Sequence, residues 1–180
     1  LEQVLAGKTI AQLTLLREKT FPDFALQEVR LLGQQIQTVE RRAKILRFVL
    51  ARDYDLLAHL KMTGQFIYQD RAGHKIGGGH PTADWVNQLP SKHTRFIFDF
   101  SDQSRLYFND MRVFGWLKLY PKEQVTTAFA HLGPDILSAQ EVLVGKLDQA
   151  SVKPFTDHLL ELAKRRSVSI KQFIMDNQVL

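Results

Sequence analysis

Two short segments carry the residue types that could act on another molecule. His59-Leu60-Lys61-Met62-Thr63-Gly64 ends an apolar run and then offers a long, flexible apolar side chain, Met62. Asn109-Asp110-Met111-Arg112-Val113-Phe114-Gly115 follows a second apolar run and puts an arginine and a phenylalanine outward. Cations recur at expected strand ends, loops and helix ends: Lys44, Lys61, Lys92, His93, Arg95, Arg112, Lys164, Arg165, Arg166 and Lys171. Cations and histidines position phosphates. An apolar wedge can enter a base step and unstack it, at a cost that phosphate contacts must offset. The chemistry suggested is binding of duplex DNA. The plainer reading stands beside it, in which each charge is a solvated side chain and a lone Met or Phe belongs to a core.

Other chemistries find less support. Hydrolysis needs paired carboxylates, a metal cluster or a nucleophile beside its base, and none is clear. Asp53 and Asp55 read as turn residues. His59 lies close to Leu57 and Leu60, which favours a packed, hydrogen-bonded histidine over a functional one. Asp110 is expected to hold the Arg112 loop by accepting backbone N–H groups. Gly77-Gly78-Gly79 lacks the following Lys-Ser/Thr pair of a nucleotide loop. His74 and His80 as metal ligands are weighed against a solvated loop, which is the default, and no metal site is assigned. The chain has no cysteine, so disulfides and cysteine-ligated zinc have no ligands in it.

The elements that must position these segments follow from periodicity. Residues 94–100 alternate, with Phe96, Phe98 and Phe100 on one face and Arg95, Ile97 and Asp99 on the other, a strand signal. Residues 101–104 are turn-prone, 106–108 resume the apolar run, and Asn109-Asp110 breaks it. Strands are predicted at 8–16, 34–41, 45–50, 56–60 and 65–68, and a short helix at 24–32 ending near Gly33. Leu1 to Ala6 reads as the end of a helix capped by Gly7. Residues 70–91 form the longest stretch without periodicity. Beyond 121 the pattern turns helical. Ser138-Ala139-Gln140-Glu141 is a capping box, Phe155, Leu159 and Leu162 share a face, and Ser169 opens another helix. The fold class is therefore α+β, with residues 1–120 a β-rich domain, 121–137 a linker and 138–180 a helical part. With 180 residues, 44% of them hydrophobic, the chain can bury a core, and its net charge of +5 favours a polyanion partner. No run of about 18 apolar residues is present, so no membrane span is expected.

Six segments together resemble the formamidopyrimidine-DNA glycosylase and endonuclease VIII family of bacterial base-excision enzymes, the first branch more closely. They are RRAKILRFVL at 41–50, HLKMTG at 59–64, KHTR at 92–95, FNDMRVFG at 108–115, HLGPDIL at 131–137 and SIKQFIMDNQVL at 169–180. The resemblance implies an N-terminal antiparallel β-sandwich with a flanking helix, then a helix-two-turns-helix domain, then a zinc finger, with damaged double-stranded DNA between the domains. It implies that Met62 fills the space of the everted nucleotide, that Arg112 pairs with the orphaned base, and that Phe114 is the wedge. It makes Lys44 a supporting catalytic lysine near the lesion, and Lys92, His93 and Lys171 phosphate contacts. A bacterial, cytoplasmic, nucleoid-associated monomer is implied.

The activity implied for the parent protein is that of a bifunctional glycosylase and abasic-site lyase acting on oxidised purines such as 8-oxoguanine and formamidopyrimidines. An N-terminal proline amine forms a Schiff base, the following glutamate moves protons, and β,δ-elimination cuts the strand. Leu1 is not that proline, and Glu2 does not match that glutamate. The chain is expected to be a piece cut at both ends and inactive alone, and the family's zinc ion belongs to a finger outside it. The alternative is a diverged, non-catalytic module that binds duplex or damaged DNA. Departures from the family pattern are Val113 for an arginine, Met111 for a proline, Thr94 for an aspartate, and a longer loop at 70–91.

Overall fold

The computed structural model describes residues 1–42, 44–79 and 88–130, with residues 157, 160, 161, 163 and 164. The described elements are α1 (Glu2–Leu5), β1 (Ile10–Leu15), a 3-10 turn (Glu18–Thr20), α2 (Phe24–Leu31), β2 (Ile36–Arg42), β3 (Ile45–Leu50), β4 (Tyr54–His59), β5 (Gly64–Gln69), β6 (Lys75–Gly79), β7 (Thr94–Phe100), β8 (Arg105–Asp110), β9 (Trp116–Pro121) and α3 (Lys122–Phe129). One sheet has the order β1-β7-β8-β5-β6 and the other β2-β3-β4-β9. Every pairing is antiparallel.

The two sheets face each other as a sandwich because their alternate residues are apolar. In β7 the phenylalanines at 96, 98 and 100 are buried while Arg95, Ile97 and Asp99 are partly open, as the period of two requires. Phe48 of β3 reaches across, its ring 5.3 Å from Phe66 of β5 and 6.4 Å from Phe98 of β7. Burying each such ring contributes about 1.5–3 kcal/mol. Helix α2 closes one side through Phe24 and Leu31, and Phe24 stacks edge-on against Phe96 at 5.2 Å. It ends where expected, since Gly33 takes φ +71°, and Gly7 takes φ +83° after α1.

Two expectations need correction. Residues 75–79, inside the stretch without periodicity, form β6 and pair with β5. Glycines at 77, 78 and 79 have no side chains to alternate, so this strand leaves no trace in the hydrophobic pattern. At Asn109 and Asp110, by contrast, the apolar run ends as expected: both residues are buried and close β8, and Asp110 Oδ2 accepts the Gly115 N–H at 2.7 Å. Asp55 is not a turn residue. It lies fully buried in β4, where Arg47 donates to Oδ2 through Nε at 2.8 Å and Nη2 at 2.5 Å, and the Leu50 N–H donates to Oδ1 at 3.1 Å. Two guanidinium donors on one oxygen and a backbone donor on the other leave the buried carboxylate hydrogen-bonded on both oxygens.

The chain divides into two compact units, Leu1–Gln124 and Val125–Leu180. In the second, residues 157, 160, 161, 163 and 164 are helical, and Lys164 pairs with Glu161 at 2.9 Å one turn earlier. The capping box at 138–141, the apolar face of Phe155, Leu159 and Leu162, and the helix opening at Ser169 lie outside the described residues. Among the described residues no helix is long and apolar enough to cross a membrane.

Candidate nucleic-acid interface

Strand register decides which loops share an end of the sandwich. Gly64 opens β5 opposite Asp110, which closes β8. The loop before β5, carrying Met62, and the loop after β8, carrying Arg112 and Phe114, therefore leave the sheet side by side. Thr94 opens β7 opposite Asn109, so the turn with Lys92 and His93 lies at that end too. In the other sheet His59 closes β4 opposite Ile45 and Trp116, and Lys44 sits in the turn just before Ile45. Four loops separated by up to 70 residues are thus gathered by antiparallel pairing within each sheet and by the short links from β4 to β5 and from β8 to β9 between the sheets.

Asp110 locks two of them together. It is 1% exposed. Its Oδ2 accepts the Gly115 N–H at 2.7 Å, and its Oδ1 accepts the Arg112 N–H at 3.2 Å and a short hydrogen bond from the Thr63 hydroxyl. The Thr63 oxygen also accepts the Arg112 N–H at 3.2 Å. Gly115 cannot carry a side chain, because a Cβ there would meet Phe108 Cζ at 2.7 Å and the His59 carbonyl oxygen at 3.1 Å. The structural role expected for Asp110 is the one it performs.

Arg95 ties in the third loop. Its Nε donates to the Asp110 carbonyl at 2.7 Å and its Nη1 to the Lys92 carbonyl at 3.0 Å, while the Asp110 N–H donates to the His93 carbonyl at 2.9 Å. Thr94 shapes this turn by accepting the Ser91 N–H on its hydroxyl at 2.9 Å. The sequence lists Arg95 as one cation among many. Its two carbonyl partners were not readable before the register was known, and Thr63 carried no signal beyond its place beside Met62.

On this frame Met62 is 67% exposed and Phe114 48%, unusual for large apolar groups in neighbouring loops. Arg112 joins them. Its Nη1 lies 3.3 Å from the Met62 sulfur and its guanidinium carbon 5.0 Å over the Phe114 ring. Val113, between the two, takes φ +56°, a left-handed conformation that β-branched residues rarely adopt. On the other side of Met62, Lys61 takes φ +53° and its N–H donates to His59 Nδ1 at 2.9 Å. His59 is buried beside Trp116, ring centroids 5.7 Å apart. Burial first, then the positive charges of Lys61 and Lys44, push its pKa down to about 4, so the ring is neutral and accepts through Nδ1. It is the packed, hydrogen-bonded histidine expected from its neighbours.

Met62, Arg112 and Phe114 are thus brought together, with Lys92 and His93 held to the same frame and Lys44 near enough to act on His59. Lys171 lies outside the described residues, as does His80. His74 instead pairs with Asp70 at 2.9 Å on an exposed turn. A groove of about 270 Å³ between Phe21, Gln27, Lys118 and Tyr120 shares no residue with these loops. Among the described residues no cluster of three or more His, Cys, Asp or Glu could hold a metal. The arrangement sets exposed apolar tips, Met62 and Phe114, beside the Arg112 guanidinium at the same end of the sandwich as Lys92.

Comparison with known proteins agrees with the architecture. A family model described as the formamidopyrimidine-DNA glycosylase N-terminal domain matches residues 1–117. The formamidopyrimidine-DNA glycosylase of Brevibacillus brevis is 32% identical over 185 residues, covering 100% of this chain and 56% of its own. That of Shouchella clausii is 33% identical over 185 residues, covering 99% and 56%. The crystal structure of Lactococcus lactis Fpg in complex with DNA containing an abasic site superposes with a TM-score of 0.72 at 22% identity, covering 99% of this chain and 57% of that one. The chain spans little more than half the length of these relatives.

Proposed function

The chain belongs to the formamidopyrimidine-DNA glycosylase family, and from that premise we propose that its loop end binds double-stranded DNA at damaged sites. One observation carries the reading: Arg112 touches both Met62 and Phe114, at 3.3 Å and 5.0 Å, while all three side chains remain available to solvent. A donor-rich planar cation flanked by two apolar tips can replace an extruded base, face its orphaned partner and wedge the stack. The Lactococcus lactis relative's complex with DNA containing an abasic site supports the choice of ligand.

In this reading Met62, Arg112 and Phe114 enter the duplex, while Lys92, His93 and Lys171 hold phosphates. Lys44 supports catalysis near the lesion. Residues 1–120 form the sandwich domain, 121–137 the linker and 138–180 part of the helical domain. The whole protein removes oxidised purines and cleaves the strand through a Schiff base on an N-terminal proline. It works as a cytoplasmic monomer. Its zinc is held by a cysteine finger, for which this chain supplies no ligand because it has no cysteine.

The binding test is fluorescence anisotropy of the full chain with a short duplex bearing a tetrahydrofuran abasic analogue, against the same duplex intact. Tighter binding to the abasic duplex is expected, and equal affinity for both would refute lesion recognition. Borohydride trapping on a true abasic duplex, run with the whole protein, tests the chemistry. A covalent adduct on the N-terminal proline is expected, and an adduct mapped to any other amine would overturn the assignment of the nucleophile to proline.

A further inference from the structure

A fifth segment reaches the same end of the sandwich. Strand β1 pairs with β7, Leu15 opposite Phe96, so the chain leaving β1 emerges beside the start of β7. The Leu16 N–H donates to the Arg95 carbonyl at 2.9 Å, which anchors the following 3-10 turn to the residue that clamps Asp110. Thr20 and Phe21 are buried and fix the turn from behind, with the Phe21 ring 5.9 Å from Phe96. Between these anchors Lys19 is exposed, and its ammonium lies 5.5 Å from the centroid of the Phe114 ring. Arg112 approaches that ring at 5.0 Å. The only apolar tip of the Arg112 loop with an aromatic face is therefore contacted by two cations from distant parts of the chain.

This arrangement has a direct consequence for a polyanion. A cation–π contact at an exposed site is weak, so it orients the ammonium without holding it against a phosphate. Among the described residues no carboxylate forms an ion pair with Lys19. Arg17, Glu18 and Lys19 together keep a charge of +1 on the turn. If Phe114 enters a base step, a lysine beside its ring is left next to the backbone that flanks the step.

We infer that Lys19 is a DNA-backbone contact, delivering its ammonium to a phosphate beside the base step that Phe114 opens. The inference rests on the reading of this end as a DNA surface. It adds the turn at 18–20 to the footprint, and nothing in the sequence marked it, since a lysine next to a glutamate looks like any solvated pair.

The test measures binding of the full chain to the tetrahydrofuran duplex from about 50 to about 200 mM salt. Lys19→Gln is expected to weaken binding about 3- to 10-fold at the lower salt and to make the slope of log affinity against log salt shallower by about one. Lys19→Arg should keep the wild-type slope, because it keeps the charge. A merely structural role for Lys19 would lower affinity without altering the slope. An unchanged slope in Lys19→Gln overturns the inference, and so does an equally shallow slope in Lys19→Arg. If the wild type shows no binding even at low salt, the DNA-surface reading falls and takes Lys19 with it. If the wild type binds, Arg112→Ala loses the preference for the abasic duplex and Lys19→Gln keeps its slope, only the Lys19 assignment fails.

Discussion

The buried carboxylate of Asp110 accepts the backbone N–H of Gly115 at 2.7 Å, across a loop whose intervening residues include the exposed Arg112 and Phe114. The carboxylate's second oxygen serves Arg112 N–H and Thr63, so one side chain fixes both ends of the Arg112 loop and its neighbour. Asp110→Asn keeps the size but replaces one acceptor oxygen with an N–H₂ facing N–H donors. Hydrogen bonds to a charged group contribute about 1.5–3 kcal/mol each. The substitution is expected to destabilise the chain by about 2–4 kcal/mol in urea unfolding. It should also reduce the preference for abasic over intact duplex, read by anisotropy at a temperature where the variant is folded. A variant with wild-type stability would show that the loops are held by other means.

Val113 sits at φ +56° between the two side chains that matter most. A non-glycine residue in the left-handed region costs about 1–2 kcal/mol, and asparagine tolerates it better than a β-branched residue. Val113→Asn is therefore expected to raise stability by about 1 kcal/mol. Differential scanning calorimetry would register this as a higher Tm. A fall in Tm would mean that packing of the half-buried valine outweighs the backbone strain.

His59 predicts a pH dependence. Its folded pKa is about 4 against an ordinary value of 6.5, lowered by burial and by Lys61 and Lys44. The unfolded chain takes up a proton at this site below pH 6.5, whereas the folded chain does so only near pH 4. Stability from this group is complete above pH 6.5 and is lost as pH falls toward 4, at no more than about 1.4 kcal/mol per pH unit. His59→Gln should flatten that part of the stability curve, followed by urea midpoints between pH 7 and pH 4. An unchanged slope would place the titrating group elsewhere.

The sandwich was legible because its strands announce themselves. The three alternating phenylalanines of β7 and the apolar run of β3 could hardly be anything else. Strand β6 was not legible, since glycine carries no periodic signal, and it is defined by pairing with β5 rather than by its own residues. Asp55 was misplaced for a related reason. A carboxylate reads as a surface or turn residue until the arginine or backbone donors that neutralise it are located, and those are tertiary facts. The same limit applied to the interface. Met62, Arg112 and Phe114 stood out by type and by family resemblance, but that Gly64 faces Asp110 across two strands, and so brings their loops together, had to come from the register.

The last prediction separates recognition from attachment. Arg112 contacts Met62 and Phe114 and presents the remaining guanidinium donors outward, whereas Lys92 is an exposed cation on a turn held by Arg95. If Arg112 meets an orphaned base, its donors gain a partner only when the opposite base is missing or extruded. Arg112→Ala should then reduce affinity for the abasic duplex by about 1–3 kcal/mol while leaving intact-duplex binding nearly unchanged. Lys92→Ala should weaken both duplexes alike and make the salt slope shallower by about one, as loss of a single phosphate contact does. Anisotropy titrations of both variants on both duplexes at two salt concentrations decide the matter. Equal losses on lesion and plain DNA for Arg112→Ala would assign the arginine to the backbone and remove it from lesion recognition.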